Sequence, residues 1–446
     1  MIDPQKTRQR DRTLVALFTI GVFAAYVSNG KSDETGDVRP GTYLPLAILS
    51  GDGLNLEHVA PQLDETIAVA TWRGHLVSRY PVAPALAAVP VTAAQIALLT
   101  IVYPEWSSDK SIRFPELFAK NTHALFVAAT AGLLLSICLG LCSSRGAAIL
   151  AALAAALGSS FWSVASQAAW QHGLAALSLT AAIYALIDER VSRKRLLAAG
   201  LGCAVMVASR HLDIVYAIAF ASWVLYRHRR SAGWFFPGPV LIGAALIAYN
   251  YYYFGTLEGG QSQVEAYHPK LHDVSGIWTG NLVEGALGTL VSPSRGLLVY
   301  CPWIAFALVF MSRSGLRRLP SVVSWLLIGL LANGLLLAKY SVWWGGWSFG
   351  PRYWTDSIPI LTILFAVVLD ETARRKQAAT ALAGGLVAAS VAIHAIGAYG
   401  YPSTWCATPI DVDRAHERLW DWRDNELTRI VREGARAPTL WGLKGE

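Results

Sequence analysis

The sequence predicts an all-α polytopic membrane protein with about 11 transmembrane helices, in a range of 11–13, and interfacial helices in its first outer loop. Three observations carry this. Of the 446 residues 54% are hydrophobic and only 15% charged, where soluble domains carry about a quarter charged residues; mean hydropathy is +0.39. Apolar runs long enough to cross a hydrocarbon core of roughly 30 Å, which takes about 20 helical residues, recur along the chain. Basic clusters fall between the runs: Lys6 to Arg12, "DERVSRKR" (188–195), "YRHRR" (226–230), "SRSGLRR" (312–318) and "ETARRK" (371–376). Positive residues favour the cytoplasmic side, so these clusters set the orientation.

The first run, Thr13 to Ser28, follows Lys6, Arg8, Arg10 and Arg12. It has the form of a signal-peptide n-region and h-region, but the spans after it make it a signal anchor and the first helix. Further spans are expected near 120–142, 146–160, 168–187, 195–210, 213–226, 236–254, 297–311, 320–339, 355–370 and 378–398, with the N-terminus inside and the C-terminus outside. "YPVAPALAAVPVTAAQIALLTIV" (80–102) is long enough to cross, yet one more crossing would put "DERVSRKR" outside. It is therefore read as re-entrant or doubled, aided by Pro81, Pro84 and Pro90.

Two regions follow: a transmembrane domain, 1–398, with the first outer loop at 29–80, and an outer-face tail, 399–446. Segments 29–80, 255–296, 340–354 and 399–446 all fall outside, so the function is expected there. The +7 net charge reads as membrane orientation and not a nucleic-acid groove. Five cysteines at these spacings give no disulfide framework and no Cys/His zinc cluster.

The first outer loop places Asp33, Glu34 and Asp37 within five positions. A carboxylate facing a cavity at the membrane surface can be tuned as a general base; the plainer alternative is a solvated polar turn, since Gly, Asp, Asn and Ser are ordinary loop residues. "TYLPLAILSG" has the pattern of a short interfacial helix, and "TWRGHLVSRYP" brings Arg73, His75, Arg79 and Tyr80 toward the same face. Lys120, His172, Arg210 and Arg295 reach it from span ends. Singly each has a bland reading, as a snorkelling lysine, a packing histidine or a charged turn, but ionisable groups at a lipid border are functional by default, and several converge.

"SVWWGGWSFGPRYW" (341–354) holds Trp343, Trp344, Trp347, Tyr353 and Trp354. An aromatic belt accounts for rings at an interface, but not for Gly345, Gly346 and Gly350, which permit tight turns or close ligand approach, nor for Arg352. A permanently charged, bidentate guanidinium beside the membrane suits a lipid-borne phosphate, with Arg210, Arg295, Lys120 and His172 as its helpers and Trp344, Trp347, Tyr353, Arg79 and Tyr80 as contacts for sugar or lipid.

"TGD" (35–37), "YLPLAILSGDGLNLE" (43–57), "SRYPVAPALAAVPV" (78–91), "WQHG" (170–173), "SPSRGLLVYCPW" (292–303) and "GGWSFGPRYW" (345–354) together resemble the GT-C superfamily of membrane glycosyltransferases, which includes protein O-mannosyltransferases, the lipid A aminoarabinose transferase and arabinofuranosyltransferases. The resemblance covers most of the chain through short motifs. It implies a polyprenyl-phosphate sugar donor, a protein, glycan or lipid acceptor, a site on the outer (periplasmic) face of a prokaryotic inner membrane, and an Asp base aligning with Asp37, with Asp33 and Glu34 next. The family often has a further acid on the second outer loop; "GSSFWSVASQAAWQH" has none, which leaves a divalent cation open and no other cofactor indicated. The rivals are a lipid-linked substrate transporter or flippase, and a ligase or polymerase using a diphosphate lipid. The tail stretch 410–434 is expected to be helical, with Leu419, Trp420, Trp422, Leu427, Ile430 and Val431 on one side, covering the cavity, contacting the acceptor or simply capping the end.

Overall fold

In the computed structural model, which describes residues 4–33, 35–60, 63, 67–109, 111–188, 191–374, 377–434 and 440, helix forms at every one of the eleven apolar stretches. The chain begins with α1 (Pro4–Val27), passes a single 3-10 turn (Gly36–Val38), and enters α2 (Arg39–Leu49), the short helix expected in the first outer loop. The loop also contains a hairpin that was not expected, β1 (Val69–Trp72) with β2 (His75–Ser78), in register Val69↔Ser78. Its two-residue turn is Arg73-Gly74, both at positive φ (48° and 88°), the twist that suits a tight hairpin.

The bundle continues through α3 (Ala83–Val102), α4 (Phe114–Leu141), α5 (Arg145–Ala156), α6 (Gln171–Leu186), α7 (Arg193–Ser209), α8 (Ile214–Arg227) and α9 (Pro237–Phe254). A pair in the segment expected outside follows, α10 (Gly260–Leu271) and α11 (Leu282–Val291), and then α12 (Leu297–Tyr300) and α13 (Pro302–Val309), where Pro302 breaks the predicted 297–311 span in two. The chain closes with α14 (Arg313–Arg318), α15 (Ser321–Lys339), α16 (Ile358–Ala373), α17 (Gln377–Gly400) and α18 (Glu426–Glu433).

Four of these, α3, α4, α15 and α17, are long and apolar enough to cross a membrane. α16 is buried from Ile358 through Asp370; apolar on every side, it belongs at the centre of a bundle, and it packs on α4, α5, α13 and α17. Outward-facing residues such as Leu17, Ile20, Leu241, Ile328, Leu331 and Val309 are exposed, a surface that fits lipid and not water.

One end of the bundle collects the basic clusters. Arg145 Nη2 lies 2.7 Å from Asp11, and Arg318 and Arg374 share the buried Asp370 carboxylate at 2.7 and 2.5 Å. The opposite end gathers the segments expected outside. α3 is one unbroken helix, with Pro90 inside it, and not the doubled segment its prolines suggested. Both its ends are nevertheless tied to the outer-loop end. Before it, the Tyr80 hydroxyl donates to Asp37; after it, the Trp106 ring packs on Phe114 and Phe118, and Arg113 N reaches Leu440 O while Leu440 N reaches Gly30 O, just past α1. The segments on either side of α3 thus meet the chain near the end of α1 and the start of α4, while α3 itself is long and apolar enough to cross a membrane.

The tail departs from expectation. Only Glu426–Glu433 is α-helical, capped by a reciprocal Asn425–Thr428 pair; the rest of 410–434 is turns and a 3-10 segment (His416–Trp420). Its buried side chains, Trp405, Cys406, Val412 and Leu419, form a small core with Val342, Trp343 and Trp344. The fifteen residues from Trp405 to Leu419, turns and 3-10 segments, suffice to cover that loop, so the mixed-charge pattern had no long helix to encode.

Candidate active-site cavity

A cavity of about 340 Å³ opens at the outer-loop end, lined by Asp37, Tyr80, Trp170, His172, Arg210, His268, Trp278, Tyr340, Arg352 and Tyr353 among others. Asp37, Trp170, His172, Arg210 and Arg352 sit where a helix starts or stops, the positions at which the backbone can turn a side chain into a shared space. Asp37 occupies the 3-10 turn before α2, Trp170 and His172 the start of α6, Arg210 the turn between α7 and α8, and Arg352 the 3-10 segment leading into α16.

Asp37 and Arg352 form the centre. Arg352 Nη1 donates to Asp37 Oδ2 at 2.9 Å, Nη2 donates to the Gly345 carbonyl at 2.8 Å, and Tyr80 donates to Asp37 Oδ1 at 2.9 Å. The guanidinium lies 4.6 Å from the Trp170 ring centroid and 5.3 Å from that of Tyr353, within cation–π range of both rings. Asp37 keeps 30% of its side chain exposed while Arg352 keeps 10%: the carboxylate faces the cavity from a cation fixed in the wall. Burial works to raise the Asp37 carboxyl, but the Arg352 charge and hydrogen bond, with the Tyr80 hydroxyl, outweigh it and hold it below the usual carboxylate value. Arg352 Nε has no hydrogen-bond partner among the described residues.

The glycines of this loop are used for their backbone. Gly345, Gly346 and Gly350 have φ of 76°, 61° and 57°, a region that side chains with a Cβ disfavour. A Cβ at Gly350 would also stand 2.7 Å from the Tyr300 ring. The turn they make places the Gly345 carbonyl against Arg352.

A second polar group lies along the wall. Asp356 Oδ2 accepts from Arg210 Nη1 at 2.5 Å and sits 2.8 Å from His172 Nδ1, while Asp213 Oδ1 is 3.5 Å from the same Arg210 nitrogen. Arg210 and His172 therefore reach the cavity as expected, but with their charge already matched by two aspartates. Asp356 escaped the sequence reading although it stands four residues past Arg352 at the head of an apolar run, where an acid is costly unless it is used. His268, Glu265, Trp278 and Tyr340 were also missed. His268 and Glu265 lie on one face of α10, in a loop whose sequence carries no evident pattern; burial, with the neighbouring His272, pushes the His268 imidazole down to about 4, so it is neutral at pH 7.

Other candidates are placed elsewhere. Asp33 lines a separate cavity of about 180 Å³ with Arg39, Thr42, Tyr43 and Glu116; burial raises its carboxyl to about 6, against the Thr35 amide and Arg352. Glu34 lies outside the described residues. Lys120, fully buried on α4, donates to Asn29, the Lys31 carbonyl and Gln167 and so fastens the start of the first outer loop; it does not line the cavity. Arg295, 2% exposed, is enclosed by Glu426 and by backbone carbonyls. Arg79 bonds Gln263 and the Val69 carbonyl, joining the hairpin to α10. Trp344 turns to the tail, its Nε1 donating to Asp413 at 2.7 Å, and Trp347 bonds Asp411 at the surface. The tail offers these indoles acidic partners. Of the proposed sugar or lipid contacts, Tyr353 and Tyr80 line the cavity.

Among the described residues no group of three His, Cys, Asp or Glu side chains is arranged to hold a metal ion. The fold and cavity define a helical protein with membrane-type helices and a polar, aromatic-walled site at one end. No family model matches the chain, and no curated protein matches it.

Proposed function

We propose that this chain is a membrane glycosyltransferase of the GT-C type. It would cross the membrane about eleven times and move one sugar, on the outer face, from a polyprenyl-phosphate donor to an acceptor hydroxyl. The observation that carries the reading is the Asp37–Arg352 pair: a carboxylate exposed to a cavity, tethered to a cation that lies within cation–π range of two aromatic rings. Such a pair unites a proton acceptor with an anion binder, the two functions that displacement at a phosphate-bearing anomeric carbon needs.

Donor phosphate and Asp37 compete for one guanidinium. When the phosphate takes Arg352, Asp37 loses the interactions that lower its basicity and becomes a better base. The acceptor hydroxyl then gives its proton to Asp37, its oxygen bonds the anomeric carbon, and the carbon–oxygen bond to phosphate breaks, so that polyprenyl phosphate leaves carrying the new negative charge beside Arg352. A single displacement inverts the anomeric centre. His268, neutral at pH 7, can donate or accept a hydrogen bond to either sugar. Ile214, Leu336 and Leu337, in the same lining, give the first isoprene units an apolar wall. No step is routed through a metal ion.

The pH dependence separates the two candidate bases. With Asp37 held low, kcat/KM, which reports the free enzyme, should stay flat on the acid side until the pH reaches the ordinary carboxylate range of about 4 or below. An acid limb near 6 would instead assign the base to Asp33, the carboxyl that burial raises to about 6.

The proposal is tested in detergent with a panel of synthetic polyprenyl-phosphate and polyprenyl-diphosphate sugars, with the released lipid identified by mass spectrometry. Release of polyprenyl phosphate from a monophosphate donor is the expected result. Turnover of the diphosphate donors alone would replace it with a ligase.

A further inference from the structure

We infer that Arg295 and Glu426 are positioning residues, through which the C-terminal tail holds the Gly345–Gly346 turn against Arg352. The inference rests on the reading of Arg352 as the donor-phosphate cation. It goes beyond that reading in giving the tail a part in donor binding and in moving Arg295 from binder to positioner.

Arg295 turns three of its hydrogen bonds to this task and a fourth to its own neighbour. Nε donates to the Trp344 carbonyl at 2.8 Å, Nη2 to the Gly346 carbonyl at 3.1 Å, and Nη1 to Ser294 O at 2.9 Å and Glu426 Oε2 at 3.0 Å. The two loop carbonyls flank Gly345, whose own carbonyl accepts from Arg352 Nη2 at 2.8 Å. A hydrogen-bonded path thus runs from tail to site, Glu426 to Arg295 to the turn to Arg352 to Asp37. Arg295 is 2% exposed and Glu426 is fully buried, and truncating one partner of a buried ion pair leaves the other charge uncompensated.

The turn depends on that support. Gly345 and Gly346 stand at positive φ, and glycine gives the chain little stiffness of its own. A carbonyl that must face Arg352 is therefore held from outside, by a planar fork whose geometry lysine does not reproduce. The tail adds a second hold on the same loop, since Trp344 Nε1 donates to Asp413 at 2.7 Å. The Trp405 ring also lies 5.2 Å from the Arg295 guanidinium, closing its remaining face.

The test uses the full chain in detergent at pH 8, above the value of about 7 to which burial pushes the Glu426 carboxyl against the Arg295 charge. Glu426→Gln keeps the shape of the side chain and one acceptor oxygen; Arg295→Lys keeps the charge. Two readouts are taken on folded, monodisperse protein: the Kd for polyprenyl phosphate, and hydrogen exchange in the 341–354 segment. Exchange should quicken in both variants, and affinity should fall roughly tenfold or more, the worth of a lost hydrogen bond to a charged group. The double variant should be no worse than the poorer single, because the two residues act as one unit. Variants that keep wild-type exchange and wild-type Kd would overturn the inference. Faster exchange with an unchanged Kd would also overturn it, by reducing the contact to local packing. If wild type itself fails to bind polyprenyl phosphate, the phosphate reading of Arg352 falls, and this inference falls with it.

Discussion

Asp37→Asn should abolish most sugar transfer, lowering kcat by ~10²–10⁴, the usual worth of a positioned general base, without raising the KM for donor. The two halves of this expectation have separate causes. Asparagine is close to isosteric and can still accept from Tyr80, so the turn before α2 should persist, but its amide is not a base. Arg352 now donates to Asp37 Oδ2 at 2.9 Å; relieved of that charge, it should hold donor phosphate at least as well as before. A fall in kcat with unchanged or lower KM marks a group needed in the transition state and not for ground-state binding. Asp33→Asn is the internal control. Asp33 lines the other cavity, and its loss should leave kcat within a few-fold of wild type. Equal losses at both positions would point to a shared structural role for the loop.

Arg352→Ala should lower kcat/KM by ~10²–10³, the scale for removing one preorganised donor from a developing oxyanion, and here KM for donor should rise as well. The side chain has four partners in the wall, Asp37, the Gly345 carbonyl and the Trp170 and Tyr353 rings, so alanine removes the anion site and unties the base together. Arg352→Lys tests how much of this is charge alone. An ammonium is a point donor and cannot span Asp37 and the Gly345 carbonyl in one plane, so lysine should recover only part of the loss. Full recovery would mean that the fork geometry has no part in catalysis. Arg210→Ala should cost less than Arg352→Ala in donor affinity, because Asp356 and Asp213 already balance its charge.

Hydrophobic runs made the helices legible, since lipid-facing and core positions alike demand apolar residues and no long-range contact is needed to read them. The Asp37–Arg352 pairing joins residues 315 positions apart, and only the chemical character of each end was visible: an acid just past the first helix, a lone arginine in a glycine-rich aromatic stretch. Which arginines face the cavity was not legible. Arg210 and Arg295 look alike in sequence, each at the end of an apolar run, yet one lines the cavity and the other is enclosed by a tail about 130 residues further on. The same tail took Trp344 and Trp347, because Asp413 and Asp411 supply acceptors for their indole N–H groups. Asp356 could have been found, since an acid within an otherwise apolar run is costly and calls for a partner; the cavity residues of α10 could not, because their helix has neither a strong apolar stripe nor a charge pattern.

The most direct test of the central claim uses proteoliposomes carrying a polyprenyl-phosphate donor labelled in its sugar, with a hydroxyl acceptor outside and wild type compared with Asp37→Asn. The account predicts that label leaves the lipid and appears covalently on the acceptor with wild type, and stays on the lipid with the variant. Label that crosses the bilayer still attached to its lipid, at the same rate in both proteins, would contradict it and make the protein a transporter.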